Sequence, residues 1–363
     1  MKSIILNAGG TGGHFFPAIA IGEELALRGI DVHLVTDLRC MKYLLLDSTQ
    51  FTVHVVDIRI KNSQLLAKIK FFADLIVATA KAIFILYKIK PRLILSFGGY
   101  PTIPSLLAGL VLRIPILIHE QNSHMGKVNK IFAKVAKVVA ISYPKTKIKE
   151  KISNKVIITG DLIRKNILAL AKKHNFTDQT LSIFIVAGSQ GAKFFNQLVP
   201  SAILLVSTLA PNLKLNIVQQ AAKEDQASIS EIYSKNSNIN FELNEFFFDI
   251  PNKYALAHLA ICRAGATTIA ELTAIGLPAI LVPFPYASDN HQYFNAKTIE
   301  DIGGGWCFEQ SELTIEILSN KIFALINDRD ILKQASIKLQ QRKTDGVDIL
   351  ASTVEKIIYQ SGI

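Results

Sequence analysis

The sequence predicts an α/β protein built as two doubly wound domains, each opening with a glycine turn. Short β-branched runs alternate with longer stretches of helical periodicity, the rhythm of a parallel sheet with crossover helices. The pattern then begins again in the second half, where "LSIFIVAGSQGAKFFNQ" reads as a strand over Leu181 to Ala187, a turn over Gly188 to Gly191 and a helix from Ala192 onward. The chain has 363 residues, and single cores seldom grow past about 250 to 300.

In the first half the strand candidates are "SIILNA", "VHLVT", "FTVHVVDI", "LILSFGG", "PILIHE" and "VVAIS", each short and rich in Val and Ile. Later strands are "KLNIVQQ", "HLAICRAG" and "PAILVPFP", and "GVDILASTVEKIIYQ" closes the chain as a helix. The junction is expected near Val156 to Ile167. In "LLAKIKFFADLIVATAKAIFILYKIK", Leu65 to Lys90, the charged positions Lys70, Asp74, Lys81 and Lys88 fall on one helical stripe and the rest is almost wholly apolar. Such a helix packs on the sheet, enters a lipid interface, or does both.

Half of the residues are hydrophobic, yet a conventional spanning helix is not expected. Lys2 is followed by a first strand rather than an export signal. Cys40, Cys262 and Cys307 show no C-x-x-C spacing, which fits a reducing compartment and argues against a zinc or disulfide framework. A formal charge of +11 points to an anionic partner: nucleic acid, an anionic membrane surface or a phosphorylated substrate. With no dense basic block and no nucleic-acid motif, nucleic acid is the weakest of the three.

In open α/β sheets ligands bind beyond the carboxyl ends of the strands, and the unusual residues gather there. "GGTGGH", Gly9 to His14, follows the first strand; glycines admit a close approach, and the helix behind them offers amides to an anion. Gly10-Thr11-Gly12 begins a dinucleotide fingerprint, with Asp37 as its acidic partner, but Phe15 stands where the third glycine belongs. "SFGGYPTIPS", Ser96 to Ser105, and "HEQNSHMGKVNK", His119 to Lys130, bring Gly98, Gly99, Glu120, Gln121 and Asn122 to the same edge. In the second half "CRAGATTIAELTAIGLPAILVPFP" sets Arg263, Gly265, Thr267, Thr268 and Glu271 between a strand and a helix. Thr268-x-x-Glu271 alone reads as a capping box. Preceded by Arg-x-Gly and followed by "PYASDNHQYFNA", it reads better as a diphosphate turn with a carboxylate for a ribose.

Together, "GGTGGHFFPAIA", "SFGGYPTIP", "HEQN", "GSQGAKFFN", "RAGATTIAEL" and "DNHQYFNA" resemble, in order and spacing, the bacterial MurG-type N-acetylglucosaminyltransferases. The resemblance implies a GT-B fold: a Rossmann-like acceptor and membrane-facing domain over 1–163, a UDP-GlcNAc-binding one over 164–345, and a terminal helix over about 346–363 rejoining the first, with a cleft between the domains. It implies inverting transfer of N-acetylglucosamine from UDP-GlcNAc to the 4-hydroxyl of the muramyl sugar on undecaprenyl-pyrophosphoryl-MurNAc-pentapeptide. It also implies a peripheral place on the cytoplasmic face of the inner membrane, with no metal-binding D-x-D and no cofactor. Carried over, it puts Thr11, Gly12 and Gly13 at diphosphate and sugar, and His14 beside the reacting hydroxyl as general base, with Glu120 the next candidate. Asn122 contacts the donor sugar region, and Arg164, Ser189 and Phe247 lie around uridine and phosphates. Ala266, Thr267, Thr268, Ile269 and Ala270 hold phosphate, Glu271 takes the ribose hydroxyls, and Gln292 and Asn295 read the sugar. Three departures stand out: Ala187 for a usual glycine, Asp161-Leu162 for a usual Asn-Pro, and Arg92 for a usual acidic residue. Rival readings are an epimerase or glycolipid synthase on the same fold, an NAD-dependent oxidoreductase, and a non-enzymatic membrane-binding protein.

Overall fold

The computed structural model describes residues 2–44, 51–58, 65–171, 176, 180–187, 192–247, 249–342 and 345–360. The chain divides into two compact units, Met1–Arg164 with Thr344–Ile363, and Lys165–Lys343.

Among the described residues the first unit holds seven parallel strands: β1 (Ser3–Ala8), β2 (Asp31–Thr36), β3 (Thr52–Val55), β4 (Ile94–Gly98), β5 (Ile116–Glu120), β6 (Val138–Ile141) and β7 (Val156–Ile158). Their order is β3-β2-β1-β4-β5-β6-β7, so the winding reverses between β1 and β4. Asn7 pairs with Ser96, the register shifts, and Ala8 pairs with Gly98. The glycine turns after β1 and β4 therefore leave the sheet side by side, at the point where open sheets bind ligands. One face of this sheet is covered by the helix Gly12–Leu27 and the closing helix Gly346–Gln360, which share a core of Phe15, Ile19, Leu25, Leu350, Val354 and Ile358. On the other face Ile5, Val35, Ile94 and Ile118 pack with Ala78, Ala82 and Leu86 of the helix Leu65–Ile89.

The second unit repeats the plan with β8 (Thr180–Val186), β9 (Lys214–Gln220), β10 (Ile239–Asn244), β11 (Leu259–Cys262), β12 (Ala279–Leu281) and β13 (Gly305–Cys307), ordered β10-β9-β8-β11-β12-β13 and parallel throughout. Its reversal lies between β8 and β11. Strands β7, β10 and β13 are absent from the sequence reading. Two of them span only three residues, and β10 is a half-exposed edge strand whose "INFELN" mixes polar and apolar residues.

The closing helix is fastened to the first unit by more than its apolar stripe. Arg28 Nε and Nη1 donate to Glu24 and Glu355 at 2.8 Å each, and Nη2 to Asp348 at 2.9 Å. Glu24 and Glu355 raise the Arg28 pKa above its ordinary value. Partly exposed pairs of this kind contribute little each, so the buried stripe dominates. Where the chain returns, a Cβ on Gly346 would run into the Asp161 carbonyl. Asp161 and Leu162, at the place of the usual Asn-Pro, are both buried, Leu162 within the shared core. Backbone cannot step aside as a flexible side chain can, so Gly346→Ala should destabilise the first unit by roughly 1 to 3 kcal/mol. Thermal unfolding with and without the substitution measures this; an unchanged melting temperature would contradict the close packing.

Candidate functional site

The first constellation grows from the end of β1. Gly10 has φ +90°, and its N–H donates to Asp37 Oδ1 at 3.0 Å. Asp37 is fully buried, and its Oδ2 accepts from Arg39 Nε at 2.6 Å. Burial pushes the Asp37 carboxyl up, but the Gly10 amide and the Arg39 guanidinium outweigh it and leave the pKa below its ordinary value. Asp37 therefore anchors the turn. The oxidoreductase reading needed it on a ribose, and its oxygens face inward.

After the turn Thr11 is extended, with φ −147° and ψ 160°, and the helix starts at Gly12. The Thr11 hydroxyl shares a hydrogen bond with His14 Nδ1 at 3.0 Å. The His14 ring lies 3.5 Å from where a Cβ on Gly99 would stand, and Gly98 and Gly99 have φ +89° and +86°. Both glycines thus have left-handed backbone that other residues rarely adopt, and Gly99 makes room for the imidazole. Asn7 Nδ2 donates to the Thr102 carbonyl at 2.9 Å, tying the strand below the first turn to the segment after the second. Phe16 packs on Tyr43, and the Arg164 guanidinium sits 4.3 Å from the Phe16 ring centre. Thr11 thus stands at the N-cap of the helix, Gly12, Gly13 and His14 form its first turn, and Arg164 meets it at Phe16.

Glu120 is buried at the end of β5. Its Oε1 accepts from the N–H and the Nδ2 of Asn122, both at 3.0 Å. Its Oε2 accepts from Gly126 N–H and Asn129 Nδ2, both at 2.9 Å. Asn129 also donates to the His119 carbonyl and lies under Gly98, whose Cβ would meet Asn129 Oδ1 at 2.8 Å. Asn129 escaped the sequence reading, although a polar residue between Val128 and Phe132, both buried, was a visible signal. Four donors hold this carboxylate in the loop, a role that braces Asn122.

In the second unit β11 leads through Arg263 and Gly265 into the helix Ala266–Ile275, whose N-cap is Gly265 with no side-chain cap. Ile269 N–H donates to the Gly265 carbonyl at 2.9 Å, so the amides of residues 266 to 268 precede the helical ladder. This register excludes the capping box. Thr268 is the third helical residue and Glu271 the sixth, one turn apart, with the Thr268 hydroxyl 3.7 Å from the position of a Cβ on Gly265. Ala266, Ile269, Ala270 and Glu271 are buried, while Thr267 and Thr268 are partly exposed.

Gln292 and Asn295 lie on the helix His291–Asp301. Gln292 Oε1 accepts from Phe284 N–H at 2.9 Å, and Asn295 Nδ2, fully buried, donates to the Ala264 carbonyl at 3.2 Å. These bonds bring the helix to the Arg263–Gly265 turn. Asp289 and Asn290 before it hold φ +54° and +51°, unusual for residues with a Cβ. Arg263 donates to the carbonyls of Val282 and Pro283 at 3.1 Å and to Gln310 Oε1 at 2.6 Å, among the rings of Phe195, Phe284 and Phe194. Burial lowers its pKa to about 10. Its guanidinium clamps the loop after β12. Phe247 is buried edge-on to Phe184, ring centres 5.6 Å apart. Ser189 and the rest of the second glycine turn lie outside the described residues.

Residues 4–141 match the glycosyltransferase family 28 N-terminal domain, and residues 182–350 match its C-terminal domain. With two parallel α/β units, they define the class as a GT-B glycosyltransferase. A Rickettsia bellii (strain RML369-C) protein named UDP-N-acetylglucosamine--N-acetylmuramyl-(pentapeptide) pyrophosphoryl-undecaprenol N-acetylglucosamine transferase is 49% identical over 362 residues, 99% of this chain and 100% of its own. A protein of the same name from Rickettsia canadensis (strain McKiel) is 49% identical over 360 residues, with the same coverage. The crystal structure of Acinetobacter baumannii MurG superposes with a TM-score of 0.78 at 30% identity, covering 98% of this chain and 100% of that one. The chain belongs to the MurG-type N-acetylglucosaminyltransferases of glycosyltransferase family 28. A UDP-GlcNAc 2-epimerase from Neisseria meningitidis, bound to UDP-GlcNAc, shares the fold alone, with a TM-score of 0.68 at 15% identity over 98% of this chain and 100% of its own.

His119 stands directly before Glu120, fully buried beside Phe97. Burial lowers its pKa from 6.5 to about 3. Above pH 6.5 it is neutral in both folded and unfolded chains, and its contribution to stability is whole. As the pH falls below 6.5 the unfolded chain takes up a proton that the folded protein refuses, so stability is lost progressively until about pH 3. Denaturant unfolding at pH 7.5 and pH 5 should show His119 contributing about 2 kcal/mol to the loss. His119→Gln should flatten the profile by that amount; an unaltered slope would place the acid sensitivity elsewhere.

Proposed function

We propose that this protein transfers N-acetylglucosamine from UDP-GlcNAc to the 4-hydroxyl of the muramyl sugar in undecaprenyl-pyrophosphoryl-MurNAc-pentapeptide, with inversion and with His14 as general base. One observation carries the choice of base: His14 leaves the glycine turn with Nδ1 against the Thr11 hydroxyl. With the Nδ1 proton donated to Thr11, the lone pair on Nε2 is the basic site, and an imidazole ordinarily titrates near neutrality. Nε2 takes the proton of the 4-hydroxyl as that oxygen bonds to the anomeric carbon. The bond from that carbon to the UDP oxygen breaks, and UDP departs with the electron pair. Glu120, with four donors on its two oxygens, suits the holding of Asn122 better than proton transfer.

The donor reading rests on the second unit. Amides at the start of the helix Ala266–Ile275, together with the Thr268 hydroxyl, offset phosphate charge, Glu271 accepts from ribose hydroxyls, and Gln292 and Asn295 flank the sugar. General-base help is typically worth roughly a hundred- to ten-thousand-fold in rate. His14→Ala should therefore lower turnover by that range and keep UDP-GlcNAc binding. Glu271→Ala should instead lose much of the thermal stabilisation by UDP-GlcNAc, about 2.7 kcal/mol at a hundred times the dissociation constant. A radiolabelled transfer assay and melting curves separate the two effects. Normal turnover in His14→Ala would remove the base assignment, and equal stabilisation of wild type and Glu271→Ala would remove the donor site.

For the membrane we infer a peripheral seat on the cytoplasmic face, made by the helix Leu65–Ile89. Among the described residues no helix is long and apolar enough to cross a membrane. On this helix Ala78, Ala82 and Leu86 are buried, while Phe72, Ile76, Val77, Phe84 and Tyr87 are each more than half exposed. It therefore serves the core with one stripe and solvent with another. Lys81 and Lys88 are exposed beside that apolar stripe, and each could add roughly 1 kcal/mol near an anionic surface; the side chain of Lys70 lies outside the described residues. Changing Phe72, Ile76 and Val77 together to serine should leave the fold intact and weaken retention on anionic vesicles by at least about tenfold. Equal retention of the variant and the wild type would overturn this seat.

A further inference from the structure

A cation stands beside the glycine turn with no part in the reaction just described. Arg39 lies in the short 3-10 turn Leu38–Cys40 after β2. Its Nε is held at 2.6 Å by the fully buried Asp37 carboxylate, yet the Arg39 side chain is 62% exposed. A Cβ on Gly10 would stand 3.7 Å from Arg39 Nη2, so the guanidinium lies over the backbone of the turn that leads into Thr11, Gly12 and Gly13.

A buried carboxylate so close to an anion-binding turn would repel a phosphate unless its charge were balanced. Arg39 balances it through Nε alone. Its two terminal nitrogens, in a plane fixed by the Asp37 contact, hold the paired donors that match phosphate oxygens. Little side-chain freedom remains to be lost when an anion binds, which favours affinity.

We propose that Arg39, positioned by Asp37, binds the diphosphate of the acceptor. The proposal rests on the transferase reading above. The donor also carries a diphosphate, and the helix-start amides and Thr268 of the second unit are read as offsetting its charge. The turn under Arg39 carries His14, which has to meet the acceptor hydroxyl. In the acceptor the diphosphate sits on C1 and the reacting hydroxyl on C4 of a single sugar ring. A base and a diphosphate-binding cation for the same acceptor therefore have to stand within one sugar of each other; His14 follows the glycine turn, and Arg39 lies over the backbone of that turn at Gly10.

The test uses the full chain and the variants Arg39→Ala, Arg39→Lys and Asp37→Asn. Transfer is measured with the lipid-linked acceptor varied at saturating UDP-GlcNAc, then with UDP-GlcNAc varied at fixed acceptor. Arg39→Ala should raise the acceptor KM by roughly tenfold or more, as expected for a lost charge-assisted contact, with the UDP-GlcNAc KM and the melting shift given by UDP unchanged. Arg39→Lys, which keeps the charge and loses the fork, should fall between it and wild type. Asp37→Asn, which loosens Arg39 without removing it, should move the acceptor KM in the same direction. In a second arm inorganic pyrophosphate is titrated into protein already saturated with UDP, and Arg39→Ala should weaken its binding. An acceptor KM and a pyrophosphate affinity both equal to wild type would overturn the proposal. A rise confined to the UDP-GlcNAc KM would overturn it too, moving Arg39 to the donor. Wild type that transfers nothing would sink the transferase reading, with the pyrophosphate arm still deciding whether Arg39 binds a diphosphate.

Discussion

The hydrogen bond from the Gly10 amide to the buried Asp37 carboxylate is the contact on which the first unit's candidate site depends. It links the end of β1 to the end of β2 and commits the backbone to a positive φ at Gly10. Thr11 is then extended and the helix can begin at Gly12, which sets the height at which His14 leaves the turn. Gly9 is pressed into the same joint, since a Cβ there would come within 2.8 Å of Pro101. A carboxylate without donors would be costly in this position. With Gly10 and Arg39 both donating, it becomes the rigid part of a loop that otherwise has almost no side chains.

The same device recurs with other charges. Glu120 is buried at the end of β5 and gathers four donors from residues 122, 126 and 129. Arg263 is buried after β11 and spends its donors on two carbonyls and Gln310. In each case an ionised group sits where a strand becomes a turn and is satisfied almost wholly by the loops around it. Asp37 and Glu120 have donors on both carboxylate oxygens and Arg263 has partners on both terminal nitrogens; buried polar groups held in this way rigidify what they join, so these three charges shape the turns. The groups at the rims, Thr11, His14, Thr267 and Thr268, keep some exposure.

Both sheets reverse their strand order, at β1 with β4 and at β8 with β11. Parallel strands all end on one edge, so the polar residues that follow them collect there whatever their separation along the chain. Within the first unit, the apolar outer stripe of the helix Leu65–Ile89 belongs to an element whose inner stripe already completes the core. Its exposed aromatic and aliphatic side chains are therefore surplus to folding, and the surplus asks for a function.

By itself the sequence determined the α/β alternation, the glycine turns, the closing helix and the family, because these are written in local periodicity and in motifs a few residues long. Only the tertiary structure decided what the charged and polar residues at the turns do. Asp37 passed for a ribose ligand until its partner proved to be Gly10, 27 positions earlier. Thr268 and Glu271, in isolation a capping box and in context a diphosphate turn, lost the first of these readings once the helix was seen to start at Ala266. Asn295 meets Ala264 from 31 positions away, and β7 and β13 have three residues each, too few for any alternation to register. Periodicity senses neighbours within a turn or two of chain. Whether a buried charge braces a loop or faces a ligand depends on donors brought to it from elsewhere in the fold, and those are known only once the strands have been laid side by side.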